Sequence, residues 1–416
     1  MRNPIHTIAI VGGGPAGASL AAYLARARKR VALFHAGHAL PLVIGESLVP
    51  ATVPFLRRLG IEEEVASYSV FKPGASFSLP RGEEHMHFRF DEVRKATTTY
   101  AYNVPRHRMD ASVRAAAERA GARLFPHRGR IERDGAGDRL RLSADTLEKT
   151  GGFLAEQPDL LVDATGRART VARLLDLPTE TGPRRDTALH AHLENVGLER
   201  EGHVHTDILE RGWSWRIPLP GRVSVGLVMP SQFIAGFGDS IEEQLDAYLR
   251  HDPVARAWAG DAKRITPVVK YTNYQLRTLR GLGENWALVG DAFGFVDPVF
   301  SSGLLVGLDS AWELAQAIGR GSERAFVRYQ RHVLRHLRNW QRAVEHFYDG
   351  RLFTLFRVGN IARTTLAGRL FDPHFSTHIP RVFTGEATTH RYSVGLLDFM
   401  CEHGLLGNDP APLRVG

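Results

Sequence analysis

Thr7-Ile8-Ala9-Ile10-Val11-Gly12-Gly13-Gly14-Pro15-Ala16-Gly17 is the stretch on which the fold class turns. Its β-branched apolar run suits a buried parallel strand, and Ala18 to Arg28, just after the glycines, suits a helix. Strand, glycine turn and helix in that order make a dinucleotide-binding unit. Gly12 permits the tight turn, Gly14 lets a pyrophosphate approach the backbone, and Gly17 lets the helix pack close to the strand. Gly13, Pro15 and Ala16 complete a turn whose helix N-terminus faces the anion. A simple glycine turn is the bland alternative, and the flanking strand and helix weigh against it.

A second strand is expected over Arg30 to Phe34. The next residue is His35, where an acidic side chain would normally meet the adenosine ribose. Histidine can still hydrogen-bond a hydroxyl, so the change weakens a nicotinamide dinucleotide more than a flavin one. Leu160 to Gly166 and Trp286 to Ala292 read as two more apolar strands that deliver small residues to the carboxyl edge of the sheet, where open α/β folds bind ligands. Asp291 then either accepts hydrogen bonds from a ribityl chain or caps the helix expected near Gly303 to Leu308. Arg106, at the start of a helix rich in Ala, Arg and Glu, either pairs with the diphosphate or is solvated.

Composition narrows the class. The 416 residues are 43% hydrophobic, with 53 Lys+Arg against 45 Asp+Glu, which is too apolar and too evenly charged for a disordered chain. One cysteine, Cys401, excludes an internal disulfide and a Cys-rich metal site and argues for a reducing compartment. No window approaches 18 uncharged apolar residues, and the start lacks the apolar core of a signal peptide, so a cytoplasmic protein without a membrane span is expected. The net charge of +8 is spread along an Arg-rich chain, and base-reading motifs of nucleic-acid binders are absent.

The glycine turn, Gly45-Glu46-Ser47-Leu48-Val49-Pro50, Lys72-Pro73-Gly74-Ala75, Trp213-Ser214-Trp215-Arg216-Ile217-Pro218, and Gly290-Asp291 through Pro298-Val299-Phe300-Ser301-Ser302-Gly303 together resemble the flavin-dependent halogenases. The resemblance runs from about residue 5 to 310 and is nearest the branch acting on phenolic, pyrrolic or carrier-bound substrates. The glycine motifs are shared with flavin hydroxylases and reductases; the Trp-x-Trp-x-Ile-Pro block and the lysine before Gly-Ala are more specific.

That resemblance implies a reaction in which reduced FAD and oxygen give a flavin hydroperoxide, which chloride or bromide attacks to form hypohalous acid. The implied FAD site comprises Gly12 to Gly17, His35, Glu46, Ser47, Arg106, Asp291, Pro298, Gly303 and Leu304. Ser302 and Gly303 align with the pair whose backbone N–H groups hold halide; a plain helix start is compatible with that role. Lys72 is the implied catalytic amine, either hydrogen-bonding hypohalous acid or forming a haloamine, although a lone lysine is more often an exposed charge. Trp213, Trp215, Ile217 and Pro218 are implied to separate flavin from substrate. The two indoles share one strand face, away from Ser214 and Arg216, and an aromatic sheet core is the alternative. Phe300 is expected in the substrate pocket, where tryptophan-acting relatives carry a glutamate. Leu42, where an arginine is common, adds to the departures around FAD.

The expected architecture is α/β: a GxGxxG Rossmann-like FAD domain from residues 1–50, 100–180 and 276–325, an inserted β-sheet substrate module from 51–99 and 181–275, and a helical C-terminal part over 326–416. One dinucleotide fingerprint implies that a separate flavin reductase supplies reduced FAD. Residues 325–348 read as an amphipathic helix whose arginines are either a solvated face or a dock for an acidic carrier protein. The pairs His85/His87, His190/His192 and His203/His205 lack the converging cysteines or carboxylates of a metal site. An aromatic halogenase is therefore the leading expectation, with a flavin monooxygenase or reductase of the same fold, and a catalytically silent flavoprotein, as alternatives.

Overall fold

The structure is a computed structural model that describes residues 4–37, 42–79, 84–272 and 275–416. Thr7–Val11 lies at the centre of a five-stranded parallel sheet, between Arg30–Phe34 and Leu160–Asp163. Trp286–Leu288 and Arg123–Phe125 close its two edges. Ile8, Ala9 and Ile10 are fully buried, as a parallel strand with both faces covered must be. Helices Pro15–Arg26, Arg106–Arg119 and Ser302–Arg320 pack together on this sheet. Gly12 and Gly17 are required by close packing. A Cβ on Gly12 would stand 2.1 Å from the Ala164 carbonyl oxygen, and one on Gly17 would stand 2.0 Å from the Gly12 carbonyl oxygen.

The second sheet has eight strands and is largely antiparallel. Asp186–Glu194, Arg222–Pro230, Gly212–Leu219 and Val204–Leu209 form its middle, and Gly74–Ser78 with His85–Arg89 extend it. Cross-strand register sorts its side chains. His190, Gly226, Trp215 and Thr206 lie in one row, and Ala188, Val228, Trp213 and Ile208 in the next but one, all on the face towards the parallel sheet. A Cβ on Gly226 would meet the Trp215 ring at 2.1 Å, so glycine there is what lets the indole lie flat across its neighbour strand.

The opposite face has its own core. Leu189, Ala191, Leu193, Val225 and Leu227 pack under helices Ile241–His251 and Pro253–Ala259. The first of these helices is fixed at its start by a capping box between Ser240 and Glu243. Within this face Arg216 donates to Asp207 at 3.0 Å and to the Gly197 carbonyl at 2.9 Å, both side chains being almost wholly buried. Ser214 donates to the same carboxylate, and Tyr248 donates to Ser214.

Beyond residue 322 the chain is helical: Glu323–Tyr348, Arg351–Ala362, Leu366–His378 and Arg391–His403. Phe326, Val333, Leu337, Trp340, Val344 and Phe347 form the buried stripe of the first. These helices close on the second sheet through an aromatic cluster in which Phe383 stacks on Phe88 at 4.1 Å and Phe77 meets Phe353 at 5.2 Å. Among the described residues no helix is long and apolar enough to cross a membrane.

Arg216→Met should leave the Asp207 carboxylate buried without its cation and cost about 3 kcal/mol or more in a urea or thermal unfolding experiment. Arg216→Met combined with Asp207→Leu should regain most of that loss, because the penalty lies in the orphaned charge; equal loss in both variants would contradict this.

Candidate FAD and halide site

Two cavities meet between the sheets. The larger, about 1010 Å³, runs along the carboxyl edge of the parallel sheet past Gly12, Gly13, Gly14, His35, Arg106, Thr165 and Asp291. The smaller, about 190 Å³, lies under the second sheet between Gly14, Gly45, Ser47, Pro298 and Gly303 on one side and His190, Trp213, Trp215 and Ile217 on the other. Pro15, Ala16 and Leu304 also line the smaller one. Gly14, Arg106, Asp291 and Pro298 border both, so a ligand can run from one into the other.

The larger cavity fits a dinucleotide. A Cβ added at Gly14 meets nothing within 4 Å, so the turn presents bare backbone to the groove. Arg106, Arg114, Arg128 and Arg167 line it, a cationic set suited to a diphosphate. Arg106 is mostly covered rather than solvated, its side chain 11% exposed. It is held by Asp110 at 3.0 Å and donates to the Ile44 carbonyl at 2.5 Å, which ties the Gly45-Glu46-Ser47 loop to the helix Arg106–Arg119. Asp163 steadies the facing turn by accepting from the Thr165 and Val171 backbone N–H groups at 2.9 and 2.7 Å. His35 lies against Gly13 at the adenosine end. Leu42 is buried and outside both linings. Asp291 caps no helix; burial raises its carboxyl to about 6 against the pull of Arg106 and Arg167.

Helix Ser302–Arg320 begins at the smaller cavity. Ser301 stands before it in the left-handed region, φ 55°, and its side chain makes no cap bond. The first-turn N–H groups therefore have neither a helical carbonyl nor a capping oxygen, and the helix dipole adds partial positive charge there. Ser301 and Gly303 line the cavity; Ser302 is buried, with its hydroxyl towards the Asp297 carbonyl at 3.4 Å. Asp297, wholly buried and pushed up to about 7 by that burial, pins this loop by accepting from the Val299 N–H at 3.0 Å and the Tyr348 hydroxyl at 3.2 Å. Tyr348 in turn accepts from the Trp213 indole N–H at 2.9 Å, so the indole and the helix start share one chain of bonds.

Lys72 is buried, not an exposed charge. Its amine donates to the Ser47 hydroxyl and the Leu48 carbonyl, both at 2.8 Å, and lies 5.4 Å from the Phe90 ring centroid. Burial lowers its pKa from 10.5 to about 7. Lys72 does not line the cavity itself; Ser47 stands between them and does. Glu46, next to Ser47, is buried and accepts from His192 at 2.9 Å, while Arg222 donates to the other nitrogen of that ring.

Glu46 and Ser302, like Lys72, sit behind the cavity wall and line neither cavity, and two further expected site residues lie farther off. Phe300 packs against Trp340 and Phe347, each with centroids 5.8 Å away, and lines neither cavity. Pro218 follows the strand alternation onto the face away from the indoles and likewise lines neither. Among the expected histidine pairs, His87 and His203 share the Ser76 hydroxyl, each at 2.9 Å. A further cluster went unread in the sequence: Asp309 bridges His332 at 2.6 Å and His336 at 3.0 Å. The His-x-x-x-His spacing on one helix was its only local signal. It is a hydrogen-bonded latch: the Trp340 N–H donates to His336 Nε2 at 3.1 Å, which leaves the proton of that ring on Nδ1, facing Asp309.

A nucleotide groove, an anion-ready helix start and a buried amine beside one small cavity define an FAD-dependent oxidoreductase of the halide-oxidising kind. The family model described as tryptophan halogenase matches residues 7–98 and 91–351, and the chain belongs to that family of flavin-dependent halogenases. It is 27% identical over 394 residues to the 1H-pyrrole-2-carbonyl-(peptidyl-carrier protein) chlorinase of Pseudomonas fluorescens, covering 86% of each chain. It is 26% identical to the flavin-dependent halogenase armH5 of Armillaria mellea, covering 75% of this chain and 64% of that one. Among solved structures, the myxobacterial chondrochloren halogenase CndH superposes with a TM-score of 0.72 at 28% identity, covering 83% of both chains. FAD and a halide are accordingly the cofactor and the ion of this enzyme class.

The Lys72 shift has a consequence for stability. Between about 7 and 10.5 the unfolded chain holds the proton that the folded chain has lost, so this group makes folding stability rise with pH across that window. Below about 7 both states are protonated and the fold carries the full cost of a buried ammonium. Lys72→Met should thus be at least as stable as the parent at pH 7, with a flatter urea-midpoint profile from pH 7 to 10; parallel profiles would contradict the lowered amine.

Proposed function

We propose that this chain halogenates an electron-rich aromatic ring, phenolic or pyrrolic, free or tethered to a carrier protein, by electrophilic substitution. The observation that carries the reading is the Lys72 amine, buried on Ser47 at the rim of the cavity that Gly303 and the two indoles also line. Residues 1–50, 100–180 and 276–325 hold FAD in this reading, 51–99 and 181–275 hold the substrate, and 326–416 close one side. Bound in reduced form, FAD supplies with oxygen the oxidant that turns halide into hypohalous acid.

The chain's own residues do three things. The N–H groups of Ser302 and Gly303 hold the desolvated halide, which suits backbone donors because they bring positive potential without a competing side-chain cation. Lys72 then takes the oxidised halogen. As a neutral amine it spends both N–H groups on Ser47 and Leu48 and keeps its lone pair, so RNH2 + HOX gives RNHX + H2O; attack by the ring returns RNH2 and leaves the aryl halide. As an ammonium it instead keeps one N–H with which to hydrogen-bond hypohalous acid. Trp213, Trp215 and Ile217 screen the flavin end of the cavity from bulky molecules, and the Tyr348 bond fixes Trp213 in that position.

The carrier-bound form of the substrate is supported by the Pseudomonas fluorescens relative's name and by charge. Arg324, Arg328, Arg331, Arg335 and Arg338 are exposed along helix Glu323–Tyr348, a stripe complementary to an acidic carrier protein. A separate reductase fits the single dinucleotide fingerprint; reduction of bound FAD by NADPH with this chain alone would contradict it.

Incubation with reduced FAD, oxygen, bromide and a panel of phenols and pyrroles, free and carrier-bound, should give products with the bromine isotope pattern by mass spectrometry. A gain of one oxygen instead would make the chain a hydroxylase. Lys72→Ala should lower halogenation by about 100-fold or more while FAD binding and peroxide release persist; loss of FAD in that variant would contradict the role given to Lys72. Arg331→Glu with Arg335→Glu should slow turnover of carrier-bound substrate only, and equal slowing of the free substrate would remove the docking face.

A further inference from the structure

His190 is fully buried, and neither of its ring nitrogens makes a well-formed hydrogen bond among the described residues; the Val269 backbone carbonyl is the one acceptor near enough to favour its proton. A buried polar side chain left in that state loses its hydration without return, and native folds rarely tolerate it unless something else completes the bond. Its surroundings say where that partner comes from. On the inner face of the second sheet four rings follow one another: Trp213 to Trp215 at 5.7 Å, Trp215 to His190 at 6.0 Å, and His190 to Tyr271 at 6.1 Å. The indoles and His190 line the smaller cavity, and Tyr271, the next ring after His190, lines the larger.

The ring is also held in one useful state. Burial lowers its pKa to about 4, with the Glu46 charge and the Val269 carbonyl opposing and His192 reinforcing, so it is a neutral imidazole whose N–H has Val269 nearby and whose other nitrogen is left to accept. Gly226 beside it carries no side chain, which leaves the ring face against Trp215 and its edge unobstructed by that strand. Thr206, in the same cross-strand row, also reaches the smaller cavity, so the wall facing the ligand is apolar with isolated polar points. That is the wall a largely flat heteroaromatic ring with polar edge atoms requires.

We propose that His190 is a flavin-binding residue whose imidazole completes its hydrogen bonding on a polar edge atom of the isoalloxazine, fixing the ring where it enters the smaller cavity. The proposal rests on FAD as the cofactor of this family and is independent of the role given to Lys72.

The test uses the full chain with His190→Leu, which keeps bulk and removes both nitrogens, and His190→Gln, which keeps a donor and an acceptor. FAD affinity by fluorescence titration should fall about 3- to 10-fold in the leucine variant, the scale of one hydrogen bond, and the visible absorption bands of the bound flavin should shift. The apo chain should melt no lower than the parent, since the substitution deletes an unsatisfied polar group, and the glutamine variant should recover most of the affinity. A merely structural histidine would instead lower the apo melting temperature and the affinity together. That outcome, or unchanged affinity and spectrum in the leucine variant, overturns the proposal; a parent chain without FAD affinity overturns the cofactor assignment as well.

Discussion

An amine is buried at Lys72 with no carboxylate beside it among the described residues, and the rest of the site is arranged around that fact. Transfer of an ammonium into a protein interior is unfavourable unless it is paired, and here its hydrogen-bond partners are one hydroxyl, one carbonyl and a nearby ring face. Burial lowers the amine to about 7, so the proton can leave near neutrality, which is what the proposed role as nucleophile or donor requires. Ser47 sets where this happens. Its loop is held from one side by Arg106 and from the other by the Glu46–His192 contact, so the amine is referenced to both sheets at once.

The second sheet separates two tasks by the alternation of its strands. Its outer face carries aliphatic residues and the Arg216–Asp207 pair under two helices, and its inner face carries indoles, an imidazole and small residues. The inner face is then tied to the anion end through Trp213, Tyr348 and Asp297. Because Asp297 also bonds the Val299 N–H, movement of the indole and movement of the loop before Gly303 are mechanically linked.

Much of this was legible because it is local. A strand, three glycines and a helix can be read in order, and the Trp-x-Trp alternation does put both indoles on one face. What escaped was non-local. Phe300 was expected in the pocket because it stands where tryptophan-acting relatives carry a glutamate, but the left-handed turn at Ser301 and the arrival of Trp340 and Phe347 from the C-terminal helix put it in the aromatic core. Pro218 was grouped with the indoles by adjacency although the period of two sends it to the other face. The His190/His192 pair showed period, but only the three-dimensional contacts separate an imidazole bonded to Glu46 from one that makes no well-formed hydrogen bond among the described residues. Ser47 between Lys72 and the cavity is likewise a contact across 25 residues that no spacing announces.

The arrangement stands or falls on whether the small cavity is an anion chamber between the nucleotide groove and the amine. Anomalous diffraction from crystals grown with FAD and bromide locates the ion directly. The account predicts a bromide peak against the Gly303 N–H, inside the cavity bounded by Ser301, Ser47 and the two indoles. A flavin seated in the groove with bromide bound only elsewhere on the molecule would contradict it.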